Sequence, residues 1–162
     1  MNYRTIVVSA VAVAAAALGM LRAQESHGVP GGYRHWTHVK SMVIYDPSHP
    51  LYGPFGGIHH VYVNSKGEAA VQKGGPYPDG TVFVFDLLEA KLESGAYVEG
   101  SRKVLATMTK DSKKFAATGG WQFRAFAGGD SAKQVVQDPA KECFACHEPQ
   151  KKTDYVYSVW RP

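Results

Sequence analysis

The chain has 162 residues, with 18 Lys+Arg against 14 Asp+Glu, 44% hydrophobic residues, 17 Gly, 9 Pro and 2 Cys. Apolar and charged fractions close to those of globular domains exclude wholesale disorder, a collagen-like repeat and a disulfide-stapled mini-protein, and a length within the ~100–200 residues of a single core predicts one domain. The net charge of +4 is dispersed, with no basic run longer than doublets such as Lys113-Lys114 and Lys151-Lys152, which argues against a nucleic-acid partner.

Residues 1–23 differ from the rest. Arg4 precedes an apolar run from Ile6 to Leu18 that contains six alanines, and Gly19 ends it, the layout of a secretory signal peptide. The cleavage pattern is half met, since Ala23 is small and Leu21 is not. A retained anchor is disfavoured, because about 13 apolar residues span only ~20 Å as a helix against a hydrocarbon core of ~30 Å. Cleavage after Ala23 would remove Arg4 and Arg22 from the 18 basic residues, leaving 16 against 14 acidic in residues 24–162.

Those residues read as one domain without repeats or linkers. Tyr33 to Trp36 suggests a helical turn, and Val39 to Tyr45 is β-branched enough for a strand. Residues 46–57 hold three Pro and three Gly and read as a structured loop. Ile58 to Asn64 alternates as a second strand, ended by a turn at Ser65-Lys66-Gly67; Pro76 to Gly80 is another turn, and Thr81 to Leu88 is the most strand-like run. Arg102 to Thr109 and Trp121 to Ala127 alternate as half-buried strands do. Between them, Asp111 is placed to cap a short helix through Ala117 that Gly119-Gly120 ends. Five strands joined by turns and short helices predict a mainly β (α+β) domain built on an antiparallel sheet.

Both cysteines lie in Cys143-Phe144-Ala145-Cys146-His147, the C-x-x-C-H pattern of covalent haem attachment. On a helical turn, positions i and i+3 share a face, so two sulfurs can meet the two vinyl groups of one porphyrin edge. His147 can then turn its imidazole beneath the iron as axial ligand. A thioredoxin-like redox pair would sit at a helix start within a βαβ unit, which is missing here, and half of a zinc site would need further ligands. Export favours haem as well. Two thioethers would use both cysteines and leave no disulfide to form.

Only 15 residues follow His147, and none is methionine. Met42 and Met108 lie upstream in strand-like runs, where a core position is the simpler expectation than a second axial ligand. His27, His35, His38, His49, His59 and His60 are further candidates; the adjacent His59 and His60 must point to opposite faces of a strand. A haem with one protein ligand keeps a coordination position for a small molecule. Phe83 and Phe85 share one strand face and suit either a core or the lining of such a pocket.

Several stretches together resemble one family. They are Tyr33-Arg34-His35-Trp36, Val61-Tyr62-Val63, Asp79-Gly80-Thr81-Val82, Lys110 to Ala116, Trp121-Gln122-Phe123, Glu142 to His147 and Lys152-Thr153-Asp154. In that order they resemble the cytochrome P-460 family, including its gas-binding branch, the cytochromes c′-β. The resemblance implies a homodimeric, periplasmic haem protein with an antiparallel sheet. In the hydroxylamine-oxidising members a lysine is cross-linked to the haem, and Phe85 stands at the matching position; Lys73 lies before the turn. The sequence is more similar to the c′-β branch, in which phenylalanines cap the distal side of a five-coordinate haem. That likeness implies Phe55 and Phe85 as the cap, with Phe83 as the rival for second place. Asp138 matches a position where a pocket carboxylate occurs, although Asp138-Pro139 also reads as a turn or helix start. His59 matches a polar pocket position or lies at the sheet edge. The resulting expectation is one covalent haem c per chain and a small gaseous ligand, nitric oxide or carbon monoxide. The alternatives are hydroxylamine oxidation and simple electron transfer.

Overall fold

A computed structural model describes residues 28–161; the expected signal peptide and His27 lie outside them. Five strands form one antiparallel sheet in sequence order: β1 (Thr37–Ile44), β2 (Gly57–Val63), β3 (Val82–Glu93), β4 (Ala96–Lys110) and β5 (Trp121–Ala127). All five expected strands are present. A meander of this kind needs only short connections between neighbours, which is what the Gly- and Pro-rich punctuation supplies.

Alternation along the strands divides the sheet into two faces. Val63, Phe83, Met108 and Phe123 line up across four strands, and Val61, Phe85, Ala106 and Ala125 form the next row on the same face. Against this face pack Val71, Tyr77 and Val156 as core, with Cys143, Phe144 and Tyr155 partly buried beside them. The opposite face carries Val84 and Leu105 under Tyr33, Trp36 and Tyr62. The segment bearing the two cysteines therefore lies over the Phe83 and Phe85 face.

The opposite face also buries a charge. Asp86 has no exposed surface; it accepts from the Tyr33 hydroxyl at 2.6 Å, Arg34 Nη2 at 3.0 Å and Arg102 Nε at 2.6 Å. Tyr33 and Arg34 belong to the helical turn Tyr33–His35, so this network pins the N-terminal turn onto β3 and β4.

Four local expectations are corrected. Ser65-Lys66-Gly67 is not a turn but the start of a helix, Ser65–Val71, whose first turn is capped by Asn64 Oδ1 accepting from Gly67 N at 3.3 Å. Gly67 is tolerated there because a Cβ would come within 2.5 Å of Thr81 Cγ2 and 2.6 Å of Val63 Cγ2. The loop at 46–57 contains a helical turn, Tyr52–Phe55; we term these two helices α1 (Tyr52–Phe55) and α2 (Ser65–Val71). The helix expected at 111–117 shrinks to a 3-10 turn, Ala116–Thr118, although the cap at Asp111 forms and Gly119 and Gly120 take positive φ as expected. Met42 is not in the core: it is 45% exposed, on β1 opposite His59. Met108 does pack against the core.

Candidate functional site

After β5 the chain turns back, and Asp138 starts a helical segment. A π-helical turn, Ala140–Phe144, runs directly into an α-helical turn, Ala145–His147, here together α3. The Asp138 carbonyl accepts from Lys141 N and Glu142 N, and Glu142 Oε1 reaches back to Gln137 N at 2.9 Å, closing a capping arrangement. Asp138 Oδ2 pairs with Lys141 Nζ at 2.9 Å. Hydrogen bonds from Lys141 hold this carboxyl below the usual range. The structure thus places Asp138 at a helix start.

α3 brings together the residues of the C-x-x-C-H motif. Cys143 is half-buried against the core and Cys146 is exposed, both as free thiols. Burial, reinforced by Glu142 and Cys146, pushes the Cys143 thiol up to about 11. His147 stands between Phe123 and Tyr157, with ring centroids at 5.0 and 5.2 Å. Its Nδ1 is 2.7 Å from the Tyr155 carbonyl oxygen. That oxygen only accepts, so Nδ1 carries the hydrogen and Nε2 carries the lone pair. Burial lowers the His147 pKa against the opposing effect of this hydrogen bond, which leaves a neutral imidazole in the tautomer suited to binding a metal through Nε2. The Tyr157 hydroxyl fixes the same turn by donating to the Cys146 carbonyl at 2.5 Å.

On the same sheet face, a second cluster forms around Phe85. Its ring meets Phe55 of α1 edge-on at 5.9 Å and His59 of β2 at 4.9 Å. His59 Nε2 is hydrogen-bonded to the Phe55 carbonyl, which joins α1 to the strand. Lys103 Nζ donates to the neighbouring Gly56 carbonyl at 2.6 Å. The loop enters β2 through Gly57, whose φ of +137° and approach to Leu88 O leave no room for a Cβ. His59 is 2% exposed, whereas His60 points the other way, to Ser41 and Glu99. Phe83 belongs elsewhere: it is 4% exposed and packed in the core against Tyr77 and Trp121. The structure therefore brings Phe55, Phe85 and His59 together, and separates Phe83 and Asp138 from them.

A family model for cytochrome P460 matches residues 30–158 of this sequence. The chain belongs to the cytochrome P460 family. No curated protein matches it. Membership makes this a haem protein, and the residues fit that cofactor. Two free thiols three positions apart on a helical turn, and a neutral histidine whose Nδ1 is already occupied, are the donor set that a covalently held haem uses. Beside Phe85, the row across the sheet continues as Ala106 and Ala125. Sequence reasoning missed Tyr155, whose contribution is a main-chain carbonyl, and Lys103, Tyr157 and Asp154, which act by fixing backbone. A cytochrome P460 sequence signals such groups only as far as Asp154 lies within one of the stretches that carry the resemblance.

Proposed function

We propose that this cytochrome P460 family member is an exported, periplasmic monohaem protein of the c′-β type. Cys143 and Cys146 would hold one haem c covalently and His147 would be its protein ligand, with Phe55 and Phe85 capping the place where nitric oxide or carbon monoxide would bind. When bound, the haem supplies an iron centre with one position open to a small ligand. The N-terminal segment supports export, and resemblance to the family supports a homodimer.

The observation that carries the reading is the chemistry of the Phe55, Phe85 and His59 cluster. Because the Phe55 carbonyl can only accept, His59 Nε2 is the protonated nitrogen, and Nδ1 is a bare acceptor that is buried without a partner. Burial, more than the charges of His60 and Lys103, lowers the His59 pKa and keeps the ring in this neutral form. The cluster therefore offers two aromatic rings and an acceptor, and none of these donates a hydrogen bond. Bound dioxygen draws charge from iron and depends on a donor, whereas nitric oxide and carbon monoxide depend on one far less.

The same acceptor gives a second reading some support. Hydroxylamine carries N–H and O–H groups that His59 Nδ1 could accept from, as a base taking protons during oxidation would. Anaerobic titration separates the two. The reduced protein is expected to form stable complexes with nitric oxide and carbon monoxide and, on exposure to air, to oxidise without a lasting dioxygen adduct. A stable dioxygen complex, or turnover of hydroxylamine with an electron acceptor, would overturn the gas-binding reading.

A further inference from the structure

The turn that supplies the Tyr155 carbonyl has an uncommon backbone. Asp154 and Tyr155 are consecutive non-glycine residues with φ of +51° and +67°, a region that a bulky residue occupies only when its surroundings over-determine it. They are held from several sides. Lys110 Nζ donates to Asp154 Oδ1 at 2.7 Å and to the Gly119 carbonyl at 3.1 Å, with the ammonium 4.8 Å from the Trp121 ring centroid. Asp154 Oδ2 accepts from Tyr77 N at 3.0 Å, and the Asp154 carbonyl accepts from Trp121 Nε1 at 2.9 Å. The Tyr155 ring lies so close to Gly119 that a Cβ there would be 2.3 Å from Tyr155 Cε2.

Stability alone does not explain this arrangement. Lys110 is 8% exposed, and lysine is rarely buried. A buried ion pair typically contributes no more than a well-packed apolar replacement would, and Trp121 already offers an apolar wall. What the pair does achieve is geometric: the left-handed turn it clamps holds the Tyr155 carbonyl 2.7 Å from His147 Nδ1.

We infer that the buried Lys110–Asp154 pair is a positioning device for the axial ligand, locking the Asp154-Tyr155 turn so that the Tyr155 carbonyl sets the donor strength of His147 Nε2. The inference rests on the reading of His147 as the iron ligand. An N–H···O=C bond at Nδ1 shifts electron density toward Nε2 and orients the ring. A stronger donor favours ferric iron and a stiffer iron–histidine bond. Loosening the clamp should reverse both effects without touching either ring nitrogen.

The test uses the haem-loaded protein. Lys110→Met keeps the aliphatic stem against Trp121 and removes the ammonium. Asp154→Asn keeps an acceptor for Tyr77 N and a residue type that tolerates positive φ, but loses the charge. The readouts are the iron–histidine stretching band of the ferrous form in resonance Raman and the reduction potential. In both variants the band should move to lower frequency and the potential should rise, and Lys110→Arg should return both toward the wild-type values. If Lys110→Met does not hold haem, Asp154→Asn decides. An iron–histidine band present in the wild type and unmoved in a folded variant would overturn this inference alone. Absence of that band from the wild type would overturn the axial role of His147 and the inference with it.

Discussion

At the scale of single residues, the decisive groups are those whose protonation is forced by a neighbour that can only accept. The Tyr155 carbonyl makes His147 Nδ1 a donor and frees Nε2, and the Phe55 carbonyl makes His59 Nε2 a donor and leaves Nδ1 bare. One histidine is thereby prepared to bind a metal, and the other to offer no donor beside Phe85. The Phe85 ring packs against both Phe55 and His59. Phe85→Ala should open this side of the site and accelerate carbon monoxide binding to the ferrous protein, measured by stopped flow, by about tenfold or more. The truncation should also cost roughly 3 kcal/mol of stability, the low end for a large aromatic, since Phe85 is only partly buried. An unchanged association rate would show that Phe85 does not cap the site. At this scale the motif from Cys143 to His147 was legible, because its chemistry is written in side-chain identity and spacing. The Tyr155 carbonyl was not, because every residue has one and only a long-range turn decides where it points.

At the scale of elements, spacing and alternation revealed the strands, while the features that were missed depend on partners distant in sequence. The helix Ser65–Val71 was hidden by Gly67, which reads as a turn former until Thr81 and Val63 are seen crowding it. The β3 and β4 hairpin extends to Glu93 and resumes at Ala96, through Ser94 and Gly95, both with positive φ. This is the two-residue turn that suits the strand twist, but the exposed and charged residues around it mask the period of two. The Asp86 network shows the reverse case, a polar residue in an apolar strand that signals a buried partner. Burial alone would raise the Asp86 carboxyl, but the hydrogen bonds from Arg102, Tyr33 and Arg34 outweigh it and hold the pKa below its ordinary value. A carboxylate depressed in the folded state contributes stability that is fully present above its unfolded pKa, ~3.9, and is lost as pH falls through the folded value. Wild-type urea midpoints should therefore be level near neutrality and fall in acid below about pH 4. Asp86→Asn should lose about 3 kcal/mol at pH 7, because it leaves Arg34 and Arg102 without their counter-charge, and should show a shallower fall in acid. Equal acid sensitivity in variant and wild type would remove Asp86 as its source.

At the scale of the whole molecule, the sheet is a partition. One face carries the cysteine motif with His147 and the Phe55, Phe85 and His59 cluster, and the other carries the ion network that anchors the N-terminal turn. Two cysteines, too few to staple a fold, are on this account a covalent anchor, and the haem becomes part of the core that the sheet builds around it. A small uncharged gas as ligand suits a chain whose charge is slight and dispersed. A six-coordinate electron-transfer protein would need a second axial ligand from Met42, which is exposed on β1, from Met108, which packs against the core, or from a histidine. The optical spectrum of the dithionite-reduced protein, recorded with and without carbon monoxide, tests the central claim most directly. The account predicts an ordinary c-type, high-spin five-coordinate ferrous spectrum that carbon monoxide converts to a six-coordinate one. A six-coordinate low-spin spectrum before the gas is added, or the strongly red-shifted ferrous absorption of a lysine-cross-linked haem, would contradict it.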